Sequence, residues 1–237
     1  YGFRDREKIQ SLFESITGAR MMHNYFQIGG VREDLPADFH QRIRSLTKQL
    51  QQGIEECDQL LSDNELFLAR TKGIGIINSI DAIDYGVSGP SLRASGVAED
   101  IRATEPYGLY RKMDFGIPVG SEGDCWDRYY VRMEEMRQSL SIIDQAIEQM
   151  EPGPIMAKVR RLIRPPKGEV YVRSESPRGD FGVFLISDGS DKPYRIKVRA
   201  PSFTNLQAIE HMLLNAYVAD AVVILGSIDI ILGEVDR

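Results

Sequence analysis

DCWDRYYVRMEEMRQSLSIIDQAIEQM, residues 124–150, is the stretch that decides the fold. Trp126, Tyr130, Met133, Met136, Leu140, Ile143, Ile147 and Met150 recur three or four residues apart, the period of a helix with one buried stripe. Asp124 is placed to cap the first turn through its carboxylate, and Pro152 and Gly153 end the run. At the helical rise the segment makes a rod of roughly 40 Å, about 7 turns. A helix that long needs other helices against its apolar face. The pattern therefore predicts a mainly helical body with this segment as its spine and its apolar residues as packing residues.

Upstream, Ile9, Leu12, Phe13 and Ile16 lie on one side of an amphipathic helix over residues 4–17, terminated by Gly18. Asp34 and Pro36 open a second long helix reaching Leu61, with Phe39, Ile43, Leu46, Leu50, Ile54, Cys57 and Leu61 inward. A further helical turn is expected over residues 64–70. Between the two long helices, GARMMHNYFQIGGVREDLP (residues 18–36) breaks the pattern. Arg20, His23, Asn24 and Tyr25 crowd beside Gly29-Gly30, a pair that permits a sharp turn or a close backbone approach. The composition suits either a binding site or an irregular connector with internal hydrogen bonds.

From Thr71 to the spine, glycines at 73, 75, 86, 89, 96 and 108 punctuate short apolar pieces. Residues 73–77 read as a short strand. SGPSLRASG (88–96) reads as a structured loop and lacks the GxxxxGK[ST] spacing of a phosphate loop. Arg93 and Arg102 are expected at the surface, available to an anion or a carboxylate. Tyr107, Tyr110 and Phe115 mark a connector draped over the core.

Downstream, Pro152, Pro154, Pro165 and Pro166, with Arg160, Arg161 and Arg164 between them, mark the best boundary in the chain. The period then switches to that of strands: residues 169–174, 181–186 and 194–198, linked by Pro177-Arg178-Gly179-Asp180 and Asp188-Gly189-Ser190-Asp191, predict a small antiparallel sheet. The Arg178-Gly179-Asp180 triplet matches an adhesion tripeptide, but three common turn residues are weak evidence. A helix over 202–217 follows, with Leu206, Ile209 and Leu213 inward. The closing GSIDIILGEVDR sets acidic residues into an aliphatic run, which predicts a tail packed against something and carried through to Arg237. Asp229 is the clearest candidate for a carboxylate near an apolar cavity, its pKa raised by burial or lowered by a neighbouring cation. The expected divisions are 1–164, a helical core with Gly-rich connectors; 165–200, the sheet; and 201–237, a helix and tail packing back on the core.

The chain of 237 residues is 42% hydrophobic and 27% charged, as an ordered protein should be, and a formal charge of −6 argues against nucleic acid as a partner. Cys57 and Cys125, far apart, exclude a disulfide scaffold and an all-cysteine metal site, and favour a reducing compartment. No apolar run is long enough to span a bilayer, and no signal peptide is visible. The start, Tyr1-Gly2-Phe3, lacks an initiator Met and reads as that of a fragment or processed form. No nucleophile triad, zinc motif or dinucleotide fingerprint stands out.

Five blocks carry a resemblance: GARMMHNYFQIGGVREDLP, SGPSLRASGV, GDCWDRYYVRMEEMRQSL, PKGEVYVRSESPRGDFG and ILGSIDIILGEVDR. Together they resemble the hydrogenase-like, quinone-site subunit of proton-pumping NADH:quinone oxidoreductases, the respiratory complex I family, called D in many bacteria and H in plastid and cyanobacterial enzymes. The likeness runs in order from about residue 3 to residue 237 and matches the C-terminal, larger part of that subunit.

The resemblance implies an α+β fold related to the nickel-iron hydrogenase large subunit: a helical core, a small antiparallel sheet and a buried C-terminal tail. It implies a peripheral place without a membrane span, on the cytoplasmic face of a bacterial inner membrane or on the matrix or stromal side in an organelle. The implied partners are an iron-sulfur subunit carrying the terminal 4Fe-4S cluster, other hydrophilic-arm subunits and a membrane-arm quinone-channel subunit. Quinone is the substrate; NAD, flavin and the clusters belong to partners. Electrons pass from NADH through those groups to quinone, coupled to ion pumping.

By the same resemblance, Arg20 and His23 lie in the loop that approaches the terminal cluster. Some members carry a histidine at the position of Met22, one place earlier than His23. Ile224 and Asp229 match the tail lining the quinone pocket, Ile224 as an apolar contact and Asp229 as tuner of the headgroup end. The headgroup histidine and tyrosine of the family lie upstream of Tyr1, so the chain alone is expected to be catalytically incomplete. Gly226-Ser227-Ile228-Asp229 replaces the cysteine pair that nickel and iron require. His40 and His211 read as helix-surface residues. A non-catalytic structural fragment, or the equivalent subunit of a complex with another electron donor, are the alternatives.

Overall fold

The computed structural model describes residues 1–160 and 162–236; Arg161 and Arg237, assigned above to the boundary and the tail, lie outside them. In chain order the elements are α1 (Gly2–Thr17), β1 (Phe26–Gln27), β2 (Gly30–Val31), α2 (Phe39–Leu61), α3 (Glu65–Thr71), α4 (Ser79–Asp84), α5 (Pro90–Ala94), α6 (Ile101–Thr104), a 3-10 turn (Tyr110–Lys112), α7 (Cys125–Glu148), β3 (Gly168–Ser176), β4 (Gly179–Ser187), β5 (Arg195–Arg199), α8 (Pro201–Gln207), α9 (Ile209–Met212), α10 (Asp220–Ile228) and α11 (Leu232–Asp236). The mixed, mainly helical architecture agrees with the expected class.

The caps act as their residue types demand. Asp124 accepts the Asp127 amide at 2.8 Å at the start of α7, and Gly18 closes α1 at φ 73. Asn64 likewise caps α3 by accepting from Leu66 and Phe67. α2 starts later than Asp34. Residues beyond the β1–β2 hairpin stay tied to it, Arg32 N donating to Tyr25 O at 2.9 Å and Tyr25 Oη to Glu33 O at 2.8 Å, so helix begins only at Phe39. Gly29, at φ 103, makes the turn of that hairpin.

The C-terminal half of the spine follows its pattern. Ile143 and Ile147 join Leu12 of α1 and Ile43 and Leu46 of α2 in one apolar cluster. Each fully buried aliphatic side chain there contributes about 1.5–3 kcal/mol. The N-terminal half does not follow it. Cys125, Asp127, Arg128, Val131 and Met133 are buried, while Tyr130 and Met136 of the expected stripe are exposed. Trp126 instead stacks on Tyr130 at 5.2 Å under Lys72. Loops explain the change of face. The Asp127 carboxylate accepts the amides of Ser121 (2.9 Å), Glu122 (2.6 Å) and Gly123 (3.2 Å). Arg128 donates to Gly123 O (2.8 Å), Gly75 O (2.8 Å) and Ser227 Oγ (2.9 Å). Charged side chains go inside when every polar atom finds a partner there.

Residues 73–77 are not a strand. Gly75 turns at φ 63, and the segment is pinned by Ile77 N to Gly123 O and Cys125 N to Ile74 O, both 3.0 Å. Strands β3, β4 and β5 form an antiparallel meander in that order, with Ser176 opposite Gly179 across Pro177-Arg178. Val170, Tyr171 and Val172 are all exposed, so the expected alternation does not bury one face; only the end near the turn docks on the body. The helix expected over 202–217 is broken into α8 and α9, and Tyr217 is exposed. In the tail, Ile224 and Ile228 are buried, and Glu234 accepts from the Ser202 amide and hydroxyl. Ile231 and Leu232 remain on the surface, so burial covers one side of the tail only.

Candidate functional site: a charged cleft at the C-terminal tail

Asp229 ends α10 in the left-handed region, φ 58, which turns its side chain back over α7 and the β3–β4 turn. Arg178 Nη2 donates to its Oδ1 at 3.1 Å and Arg178 Nε to its carbonyl at 2.7 Å. Arg132 Nε lies 4.0 Å from Oδ2. The carboxylate is 45% exposed, so it sits at the mouth of a charged cleft and not inside an apolar cavity. Arg132 also donates to Ser227 O (2.7 Å) and Ile228 O (3.0 Å), placing a cation on the last carbonyls of α10, where the helix dipole favours it. Burial pulls the Arg132 guanidinium down to about 10, with Asp229 opposing and Arg128 adding to the shift, and it stays charged at neutral pH.

The β3–β4 turn is held by tertiary contacts. A side chain at Gly89 would meet Gly179 Cα at 2.5 Å, so two backbones touch there. Asn205 accepts Ser88 N at 3.0 Å and donates to Arg178 O at 3.1 Å, and Ser88 Oγ accepts Asp180 N at 3.1 Å. The Arg-Gly-Asp triplet is thus engaged internally, with Arg178 on Asp229 and Asp180 beside Arg173 and Arg199.

The cleft continues as a cavity of about 530 Å³ walled by Arg93, Arg102, Arg132, Glu135, Glu175 and Asp229 among others. Arg93, expected at the surface, is 1% exposed. It donates through Nε to Glu135 (2.5 Å) and through Nη1 to Glu175 (3.0 Å) and Glu99 O (2.7 Å). Arg102 is also half-withdrawn, bonded to both oxygens of buried Asp100 and stacked over Phe115. Burial works to raise the Asp100 pKa, but the hydrogen bond and charge of Arg102, with Arg93, outweigh it and hold the group below the usual aspartate range. Burial pushes the Glu175 carboxyl up; Arg93 opposes this and Asp100 adds to it.

Ile224 is 0% exposed in the core with Ile77 and Cys125, packed on Gly75. It is not among the residues that wall the charged cleft.

Arg20 and His23 lie elsewhere. Arg20 is half-exposed and paired with Glu14 (3.0 Å) and Glu7. His23 Nδ1 lies 2.9 Å from Ala19 O, a contact that requires its proton on Nδ1, and its ring sits 4.9 Å from that of Phe13. Met22 and Asn24 flank it at φ 54 and 45, a pair of left-handed residues that fixes the loop's shape. His23 lines an apolar cavity of about 750 Å³ between α1, α2, α7 and the hairpin. Among the described residues, none lines both this cavity and the charged cleft. His40 is exposed, and His211 lies near Asp81 at 3.4 Å.

The buried arginines escaped the sequence reading. The available signal was Arg128 and Arg132 four residues apart on the spine, beside Asp124 and Asp127. Among the described residues no group of three or more His, Cys, Asp or Glu side chains could hold a metal ion, and no helix is long and apolar enough to cross a membrane.

The family model described as "Respiratory-chain NADH dehydrogenase, 49 Kd subunit" matches residues 1–165 and 159–237. The chain is 47% identical over 237 residues to the D subunit of the NADH-quinone oxidoreductase of Clostridium beijerinckii and 49% identical over 236 residues to that of Desulforamulus reducens; all of the chain is aligned, with 64% of each relative. It is 49% identical to a D subunit of the NADH-quinone oxidoreductase of Roseiflexus sp., covering 66% of that protein. The chain therefore spans a little under two thirds of the length of these relatives.

Proposed function

Because the chain belongs to the family of the respiratory-chain NADH dehydrogenase 49 Kd subunit, we propose that it builds one wall of a quinone-binding chamber in a multisubunit NADH:quinone oxidoreductase. In this reading it lies peripherally where the hydrophilic arm meets the membrane, beside the subunit that carries the terminal iron-sulfur cluster and near the membrane-arm quinone channel. Electrons reach quinone from that partner, the reaction is coupled to ion translocation, and the chain by itself is inactive. Alignment of the whole chain with D subunits of NADH-quinone oxidoreductases supports the assignment.

The observation that carries the chamber reading is the half-exposed Asp229 carboxylate oriented by two arginines at the mouth of the 530 Å³ cavity. Arg178 fixes one carboxylate oxygen, and among the described residues Oδ2 has only the 4.0 Å contact to Arg132. That oxygen is available to accept a hydrogen bond from a quinol hydroxyl, and Arg132 is placed to offset charge developing on a reduced headgroup. Ile224, Cys125 and Arg128 make the wall rigid from behind. The His23 loop is proposed to face the partner's cluster, with Arg20 held by its two glutamates as part of that loop's frame.

The test is reconstitution of the complete enzyme with Asp229→Asn. Quinone reduction should fall about tenfold, equivalent to about 1.4 kcal/mol of transition-state stabilisation. A photoreactive quinone analogue should label the segment around Asp229. Unchanged rate and inhibitor sensitivity would remove Asp229 from the chamber, and failure to label the chain at all would favour a purely structural subunit.

A further inference from the structure

Glu175 occupies a position that the quinone-wall reading does not use. It lies at the end of β3, 5% exposed, and lines both the 530 Å³ cavity and a smaller one of about 190 Å³. Around it, Asp100, Glu135 and Glu175 share two guanidiniums, Arg93 and Arg102, so full ionisation leaves one negative charge over.

The distances say where that excess sits. Asp100 holds Arg102 through bonds of 2.6, 3.0 and 3.2 Å. Glu135 takes Arg93 Nε at 2.5 Å and is the more exposed of the glutamates, 16% against 5%. Glu175 receives only Arg93 Nη1 at 3.0 Å, a donor that also serves Glu99 O, and the Ile101 amide at 3.3 Å. The deepest glutamate in the cluster therefore has the weakest share of positive charge. An uncompensated buried charge is costly, and a proton removes it.

Other charged groups face Glu175 from two sides. Across the larger cavity are Arg132 and Asp229; in the smaller one are Asp180 and Arg199. Tyr107 donates its hydroxyl to the Glu175 carbonyl at 3.4 Å, and Tyr110 lines the larger cavity. None of these supplies a further cation within 4 Å of the Glu175 carboxylate among the described residues. Three residues on, Arg178 holds Asp229, so a single short turn carries both carboxylate environments.

We propose that Glu175 is a proton-exchanging carboxylate serving the Asp229 cleft, a role that rests on the quinone-chamber reading. The resting protein holds the carboxyl neutral. On quinone reduction the O–H bond of Glu175 breaks, its electron pair stays on the carboxylate, and that proton crosses the larger cavity to one oxygen of a quinone that takes two electrons from the iron-sulfur partner; the second proton of the quinol comes from water. Water also reprotonates Glu175 through the smaller cavity. The upward push of burial on this carboxyl accords with the geometry.

The experiment uses the assembled enzyme carrying the wild-type chain or its Glu175→Gln, Glu175→Asp or Glu135→Gln variant. Infrared spectra across a pH series read the carbonyl stretch of a neutral carboxyl, and quinone-reductase rates are taken over the same range. A neutral-carboxyl band should vanish in Glu175→Gln and return, shifted, in Glu175→Asp. In Glu135→Gln, with the rival charge gone, the band should titrate at lower pH. The rate should fall about tenfold in Glu175→Gln and recover in part in Glu175→Asp. An unaltered band in Glu175→Gln, or a Glu135→Gln midpoint that does not move, would show Glu175 to be an ionised structural partner and overturn the proposal. Labelling by the photoreactive quinone analogue separates the two readings. Labelling with an unaltered band defeats the Glu175 role alone, and loss of the band without labelling defeats the chamber.

Discussion

The two halves of α7 differ in that only the N-terminal one buries charged side chains beside apolar ones. From Arg137 onward the helix presents Ile143 and Ile147 to α1 and α2, and its charges point outward into exposed or half-exposed ion pairs. From Cys125 to Glu135 it buries Asp127 and Arg128 and sets Arg132 and Glu135 at the cleft. One half is held by nondirectional apolar burial, which tolerates rearrangement. The other is held by hydrogen bonds of fixed geometry to Gly75, Gly123, Ser227 and Ile228, which does not. The candidate chemistry lies on the second kind of surface, because a site that must hold a carboxylate in one orientation needs directional contacts around it.

The comparison can be broken most directly at Arg128. Replacing it with Leu removes the donor of the buried Gly75 carbonyl, one of the two donors to the Gly123 carbonyl and the partner of Ser227 Oγ, and should destabilise the chain by about 4 kcal/mol in denaturant titration. A loss below ~1 kcal/mol would mean that the polar half is no more demanding than the apolar one. Ile147→Ala, in the apolar half, should cost about 3 kcal/mol by cavity formation with the charged cleft unaltered.

The pH dependence of stability sharpens the contrast through two carboxyls of the charged half, Asp100 and Glu175, whose shifts have opposite signs. Asp100 is held below its ordinary value of 3.8, so its stabilisation is complete above that value and fades as pH falls through the depressed one. The stability gap between wild type and Asp100→Asn should therefore shrink on acidification. Glu175 has the opposite sign. Its carboxyl is raised above the ordinary 4.5, so the stabilisation is complete below 4.5 and is lost as pH rises through the raised value. Relative to Glu175→Gln, the wild type should weaken as pH rises. Ile147→Ala should show neither slope. The smallest effect is expected at Arg20→Ala. Its two ion pairs are largely solvated, so thermal unfolding should register the smallest shift of the set.

Much of the framework was legible from local patterns. The long helices, the caps at Asp124 and Gly18, the sharp turn at Gly29-Gly30 and the three-stranded sheet all depend on residues within a few positions of one another. The short strand at 73–77 and the start of α2 were misread because hydrogen bonds from outside each segment override local preference there, and the single helix expected over 202–217 breaks at Ala208. In the candidate site, the placement of Asp229 near cations was left open by its neighbours in sequence; it took Arg178, 51 residues away, to settle it. Ile224 is apolar in the sequence, and only the fold showed it packed in the core with Ile77 and Cys125.

The sequence by itself determined which segments are helix and strand, where they stop and which family the chain resembles, since periodicity, caps, turns and motif order are written in neighbouring residues. Only the tertiary structure decided which face of α7 is inside. A period-based reading sends charges to solvent, and Arg93 and Arg128 go inward because carbonyls and carboxylates from remote loops meet their donors. Those partners lie as far as 99 residues off along the chain, a distance over which no local pattern carries information.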